Sequence, residues 1–173
     1  MRMRILTVLY VLITVSLSGN AQQNPELLAN GFKFTEGPAM NQDGILYFSD
    51  VPARRIYTFD PDRGATVFLE NSGGINGLYF APDGTLTACS GKEVRAIVEI
   101  DPEGNKSIVA TEYQGKKFNS PNDLWLDSNG GIYFTDPRYG NRDNMEMEEH
   151  VYYISPDHQD ITRIISDLVR PNG

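Results

Sequence analysis

Cysteine is nearly absent: the 173-residue chain holds Cys89 alone, so no intramolecular disulfide can form. Cys89 stands within the apolar run TLTACS, which favours a core residue over a nucleophile. Histidine is equally scarce, with only His150 and His158, and this leaves little room for a histidine-rich zinc centre. His158 lies in the polar turn SPDHQD and reads as solvated, while His150 opens a strand and reads as structural. There is no GxSxG elbow, no phosphate-cradling glycine loop and no paired cysteine motif. Excess positive charge is missing too, since the formal net charge is −8. Residues 1–21 carry two Arg and no acid, so without them the charge falls from −8 to −10. Such a chain is repelled by nucleic acid and by anionic lipid, and neither is expected as a partner.

One long apolar run exists, and it is confined to the start. Arg2 and Arg4 precede ILTVLYVLITVSL, about 13 residues, and small residues follow up to Ala21. A basic start, a short apolar stretch and a small-residue end describe a secretory leader over 1–21. The run is short for a membrane span; an uncleaved N-terminal anchor is the alternative. The expectation is an exported protein, periplasmic or secreted, whose folded part spans residues 22–173.

No helical periodicity follows the leader. What is present instead is repetition. DGILYFSD (43–50), DGTLTACS (83–90) and NGGIYFTD (129–136) each place a glycine turn before a strand, with Asp50, Ser90 and Asp136 in register. Further strands follow at RIYTFDP, AIVEIDP and HVYYISP, and then at ATVFLE, KSIVAT and ITRIIS. Ahead of each glycine turn stands a short segment: EGPAM (36–40), NGLYF (76–80) or NDLWL (122–126). Asn172-Gly173 resembles the opening of a fourth copy. Glu36, Asn76, Asn122 and Asn172 are therefore equivalent, at spacings of 40, 46 and 50 residues. Four short strands per repeat of this length predict an all-β fold built of β-propeller blades. A two-sheet sandwich is the structural alternative. About three blades are present, whereas propellers have about four to eight. The expectation is the N-terminal part of a longer propeller; a half-ring completed by oligomerisation is the alternative.

In a propeller, equivalent positions circle one axis. Glu36, Asn76, Asn122 and Asn172 would then point oxygen-bearing side chains at one mouth of the central channel. One carboxylate with several amide oxygens suits a hard cation, and Ca2+ is the natural choice over zinc. The competing explanation is that Asn-Gly and Asn-Asp simply form turns. Asn76 is the weakest member of the ring, holding either a substrate or a turn. Asp123 is expected to order the local backbone. Arg138 and Tyr139 of DPRYG either shape a substrate pocket or brace the long loop after them. The acidic run DNMEMEEH (143–150) reads as a solvated loop rather than a cation site.

TEGP (35–38), SPNDL (120–124), YFTDPRYG (133–140) and RPNG (170–173) resemble the senescence-marker-protein, gluconolactonase and luciferin-regenerating-enzyme family, from about residue 28 onward. The resemblance implies a six-bladed propeller with a divalent metal, usually calcium, in its channel; Zn2+ or Mg2+ serves some relatives. It implies metal ligands at Glu36 and Asn172, and at Asn122 a contact to metal or substrate. The family's further ligand, an aspartate often assigned as general base, belongs to a later blade and has no counterpart in this sequence. The implied activity is hydrolysis of a sugar lactone or other small lactone, with Asn76, Asn122, Arg138 and Tyr139 as candidate substrate contacts. The implied partner is thus a small-molecule lactone, with no stable protein partner. Alternatives on the same scaffold are an exported binding module without chemistry and a phosphotriesterase-like hydrolase.

Overall fold

The computed structural model describes residues 26–173. The leader expected over 1–21 lies outside the described residues. Three four-stranded antiparallel sheets account for most of what is described. The first is β1 (Thr35–Met40), β2 (Leu46–Asp50), β3 (Arg55–Asp60) and β4 (Gly64–Leu69). The second is β5 (Ile75–Phe80), β6 (Leu86–Ser90), β7 (Ala96–Ile100) and β8 (Lys106–Ala110). A small hairpin follows, β9 (Glu112–Tyr113) and β10 (Lys116–Lys117). The third sheet is β11 (Leu124–Leu126), β12 (Ile132–Asp136), β13 (His150–Ile154) and β14 (Ile161–Ile165). Every sheet is a simple meander, its strands paired in chain order. These are three β-propeller blades, and the first strands β1, β5 and β11 lie innermost.

The blades form because each sheet must bury both faces. Alternation along β6 and β7 shows how the middle blade does so. Ala88, Ala96, Val98 and Ile100 join the core shared with blade one, around Ile56, Ile75 and Leu78. Cys89 and Ile97, pointing the other way, join the core shared with blade three, around Phe118, Phe134 and Tyr152. Cys89 is fully buried, and burial pushes its thiol well above the ordinary value, with the charges of Asp123 and Asp136 adding to the effect. It is a core residue and a poor nucleophile.

Turn chemistry sets the far end of each blade. Asn41 Oδ1 accepts from Asp43 N at 3.1 Å and Ile45 N at 2.9 Å. Asp127 Oδ1 does the same for Asn129 N at 2.8 Å and Gly131 N at 3.0 Å. These side-chain turns close the first hairpin of their blades. The near end carries the starts of the first strands, the β2–β3 and β6–β7 turns, and the long connection 137–149. The hairpin β9–β10 lies between blades two and three and was not apparent in the sequence; Gln114 and Gly115 turn it at φ 52° and 76°. It contributes to the 46-residue spacing from Asn76 to Asn122.

Candidate metal and substrate site

The near ends of the three blades enclose a cavity of about 570 Å³. Its wall includes Glu36, Asn76, Asn122, Arg138, Tyr139 and Asn172, the six residues singled out from the sequence.

Two local devices aim the first of these inward. Both inner strands β1 and β5 break register at the candidate residue, between Glu36 and Ala39 and between Ile75 and Leu78. A bulge of this kind re-aims a side chain without ending the strand. The glycine after each candidate then lets the next blade come close. A Cβ on Gly37 would stand 2.4 Å from Asn76 O, and one on Gly77 would stand 2.8 Å from Asn122 O. Gly77 N donates to Asn122 O at 2.8 Å, and Ser49 Oγ donates to Asn76 O at 2.9 Å. Glu36-Gly37 and Asn76-Gly77 are therefore inter-blade contacts within strands, and the turn explanation does not hold for them. Asn122 has its own N–H on Thr135 O at 2.9 Å. Asp123 Oδ1 accepts from Leu124 N at 2.9 Å, the backbone-ordering role expected of it.

A second device repeats in blades one and three. Asp50, buried at the end of β2, accepts from Lys33 N at 2.9 Å and Phe34 N at 3.2 Å. Asp136, buried at the end of β12, accepts from Asn119 N at 2.8 Å and Ser120 N at 2.7 Å. Each carboxylate thus pins the chain two residues ahead of a cavity residue, Glu36 or Asn122. Burial pushes Asp136 up to about 7, against the opposing pull of the two N–H donors and of Arg95 and Arg138. The register of Asp50 and Asp136 was visible in the sequence, but their clamping role was not.

Arg138 and Tyr139 are tied to the long connection. The Arg138 guanidinium donates to Asn141 O at 2.7 Å, to Asn119 O at 2.8 Å and to Asn144 Oδ1. It braces the loop while lining the cavity. Tyr139 Oη donates to Arg170 O at 3.3 Å and accepts from Asn172 Nδ2 at 2.9 Å. Asn172 is thereby oriented with its amide nitrogen engaged and its oxygen unspent.

Glu149 corrects the expectation of a fully solvated acidic run. Its side chain is only 4% exposed, and it accepts from Arg138 N at 2.7 Å, Arg142 Nη1 at 2.8 Å and Arg170 N at 3.1 Å. Burial works against its charge, yet Arg142 and the two backbone donors outweigh it and hold the carboxyl below its usual range. His150 is buried beside Arg163, and burial followed by the Arg163 charge holds its imidazole below the ordinary value. His158, expected in solvent, is half-buried with Nε2 3.8 Å from a Glu99 carboxylate oxygen.

The donor chemistry fits a hard cation. The Glu36 carboxylate and the side-chain amides of Asn76 and Asn122 make no hydrogen bond or ion pair with any described residue. Unspent oxygens on one cavity wall are what such an ion requires.

The sequence profile of the SMP-30/Gluconolactonase/LRE-like region matches residues 34–173. The chain belongs to that family. It is similar to a gluconolactonase of Zymomonas mobilis, with 39% identity over 170 residues, 86% of this chain and 47% of the relative. A lactonase of Staphylococcus saprophyticus is 31% identical over 148 residues, 80% of this chain and 43% of the relative. Among solved structures, a gluconolactonase from Xanthomonas campestris superposes with a TM-score of 0.78 at 33% identity, over 84% of this chain and 52% of its own. A calcium-binding protein, regucalcin from Agrobacterium tumefaciens, shares the fold at a TM-score of 0.61 and 15% identity, over 80% of this chain and 45% of its own. The chain spans about half the length of the relatives it matches.

Proposed function

We propose that the protein bearing this chain opens small lactones by hydrolysis, with a divalent cation, calcium by preference, held at the cavity. The observation that carries the reading is the set of side-chain oxygens at Glu36, Asn122 and Asn172, which line one cavity and have no hydrogen-bond partner among the described residues. The gluconolactonase and lactonase relatives support the substrate class, and the calcium-binding relative of the same fold supports the choice of ion.

Glu36 supplies the one negative charge among the described donors. Asn122 and Asn172 supply neutral amide oxygens, and Tyr139 keeps the Asn172 amide turned the right way. A divalent cation held by Glu36, Asn122 and Asn172 would supply Lewis-acid stabilisation for the negative charge that builds on a carbonyl oxygen under attack by water. Asn76, on the same wall, would hydrogen-bond a substrate hydroxyl. Glu36 is the only carboxylate among the described lining residues, and its charge is assigned to the cation. Removal of the water proton would fall, as the family resemblance implies, to the aspartate of a later blade that is also a further ligand.

The test follows acid release from an aldonolactone with calcium and with chelator. Opening should stop in chelator, and Glu36→Gln should weaken calcium binding at least about tenfold in calorimetry by removing the one charged ligand among the described residues. Opening that survives chelation, or calcium binding indifferent to Glu36→Gln, would sink the reading.

A further inference from the structure

Positive charge is sparse on the cavity wall. The described lining holds two cationic side chains, Arg138 and Lys92. Each nitrogen of the Arg138 guanidinium is already directed at a loop oxygen. Lys92, in the β6–β7 turn, makes no hydrogen bond or ion pair with any described residue. Its neighbour Glu93 pairs instead with Arg54 at 2.6 Å.

Lys92 is exposed, and its stem packs on Gly74. Gly74 lies at φ +77°, and a Cβ built on it would stand 3.0 Å from Lys92 Cβ, 3.3 Å from Cγ and 3.2 Å from Cδ. That is tighter than ordinary van der Waals contact, so the absence of a side chain at Gly74 is what admits the lysine stem. The stem thereby lies against the backbone two residues before Asn76. Its ammonium has no hydrogen-bond or ion-pair partner among the described residues, and it belongs to the blade-two side of the cavity lining. An unpaired ammonium on a cavity wall is available to an anion.

We propose that Lys92 is a specificity-determining residue that recognises an anionic substituent of the lactone, a carboxylate or phosphate set apart from the reacting carbonyl. The proposal rests on the lactonase reading for the identity of the substrate. It separates the labour of the wall: the Glu36, Asn122 and Asn172 side receives the reacting carbonyl, and the blade-two side reads the substituent.

Three lactones of matched ring size serve as probes in calcium buffer: one neutral, one bearing a carboxylate and one bearing a phosphate ester. The protein should prefer one anionic lactone over the neutral one, and the preferred member identifies the substituent. Lys92→Met should lower the anionic-to-neutral ratio of kcat/KM about tenfold or more, the scale of one hydrogen bond to a charged group, chiefly through KM. Lys92→Arg should restore most of it. A wild-type preference for the neutral lactone, or a ratio unmoved by Lys92→Met, overturns the proposal. If none of the three is opened, the lactonase reading fails separately. Lys92 is then judged by calorimetric binding of an aldonate and an alditol phosphate against the neutral alditol. Tighter binding of an anion that Lys92→Met abolishes supports the proposal; equal binding, or none, overturns it.

Discussion

Asp136 is a carboxylate held in a place that disfavours its charge. Burial raises it from 3.8 to about 7, so the folded state binds its proton more tightly than the unfolded chain does. Between about pH 4 and pH 7 the folded form is the better proton acceptor, and stability from this group falls as pH rises through that window. At about 1.4 kcal/mol per unit, the shift is worth on the order of 4 kcal/mol across the window. Asp136→Asn should flatten the slope. It should also cost about 1–3 kcal/mol, because its amide NH2 must face the N–H of Asn119 or Ser120, donor against donor. Denaturant midpoints from pH 4 to 8 measure both effects, and an undiminished slope in the variant would show that Asp136 is not the titrating group. The same clamp at Asp50 leads to Glu36, whereas the middle blade has Ser90 at that position. Two of the three blades thus fasten the approach to a cavity oxygen with a buried acid.

Strands and connections were legible in unequal measure. The repeated glycine turn with an apolar run behind it marked the strands of all three blades, because both signals are local. The hairpin β9–β10 escaped, since EYQGKK is polar and gives only two residues to each strand. The bulges at Glu36 and Asn76 escaped for another reason. Asn-Gly is a turn signal in isolation, and the contact that keeps Gly77 in a strand comes from Asn122, 45 residues onward. The long connection was misread at Glu149, whose acidity signals solvent until its donors arrive from residues 138, 142 and 170. Glu149→Ala should destabilise the chain by about 2–4 kcal/mol, the cost of stranding the partners of a buried charge. It should also open residues 138–148 to protease and weaken calcium binding with Glu36 intact, since Arg170 and Tyr139 position Asn172. Glu149→Gln, which keeps an acceptor oxygen, should fall between. A variant whose loop stays resistant and whose calcium affinity is unchanged would refute this linkage.

At the scale of the molecule, the middle blade belongs to two cores at once, and this couples all three blades. The candidate site draws on the same coupling, for its oxygens come from successive blades and meet only because glycine lets the inner strands touch. Those glycines bear on how the protein ages. An asparagine followed by glycine loses its side-chain amide when the next backbone nitrogen attacks it, and flexible Asn-Gly pairs are the first to go. At Asn76 that nitrogen is occupied, since Gly77 N donates to Asn122 O within a strand. Asn30 is exposed and precedes Gly31. Peptide mapping after prolonged storage at mildly alkaline pH should find deamidation at Asn30 well before Asn76; the reverse order would mean that the inter-blade bond does not protect. An event at Asn76 would add a second carboxylate to the described cavity wall, so the bond that shields this amide also keeps the charge of the site constant as a preparation ages.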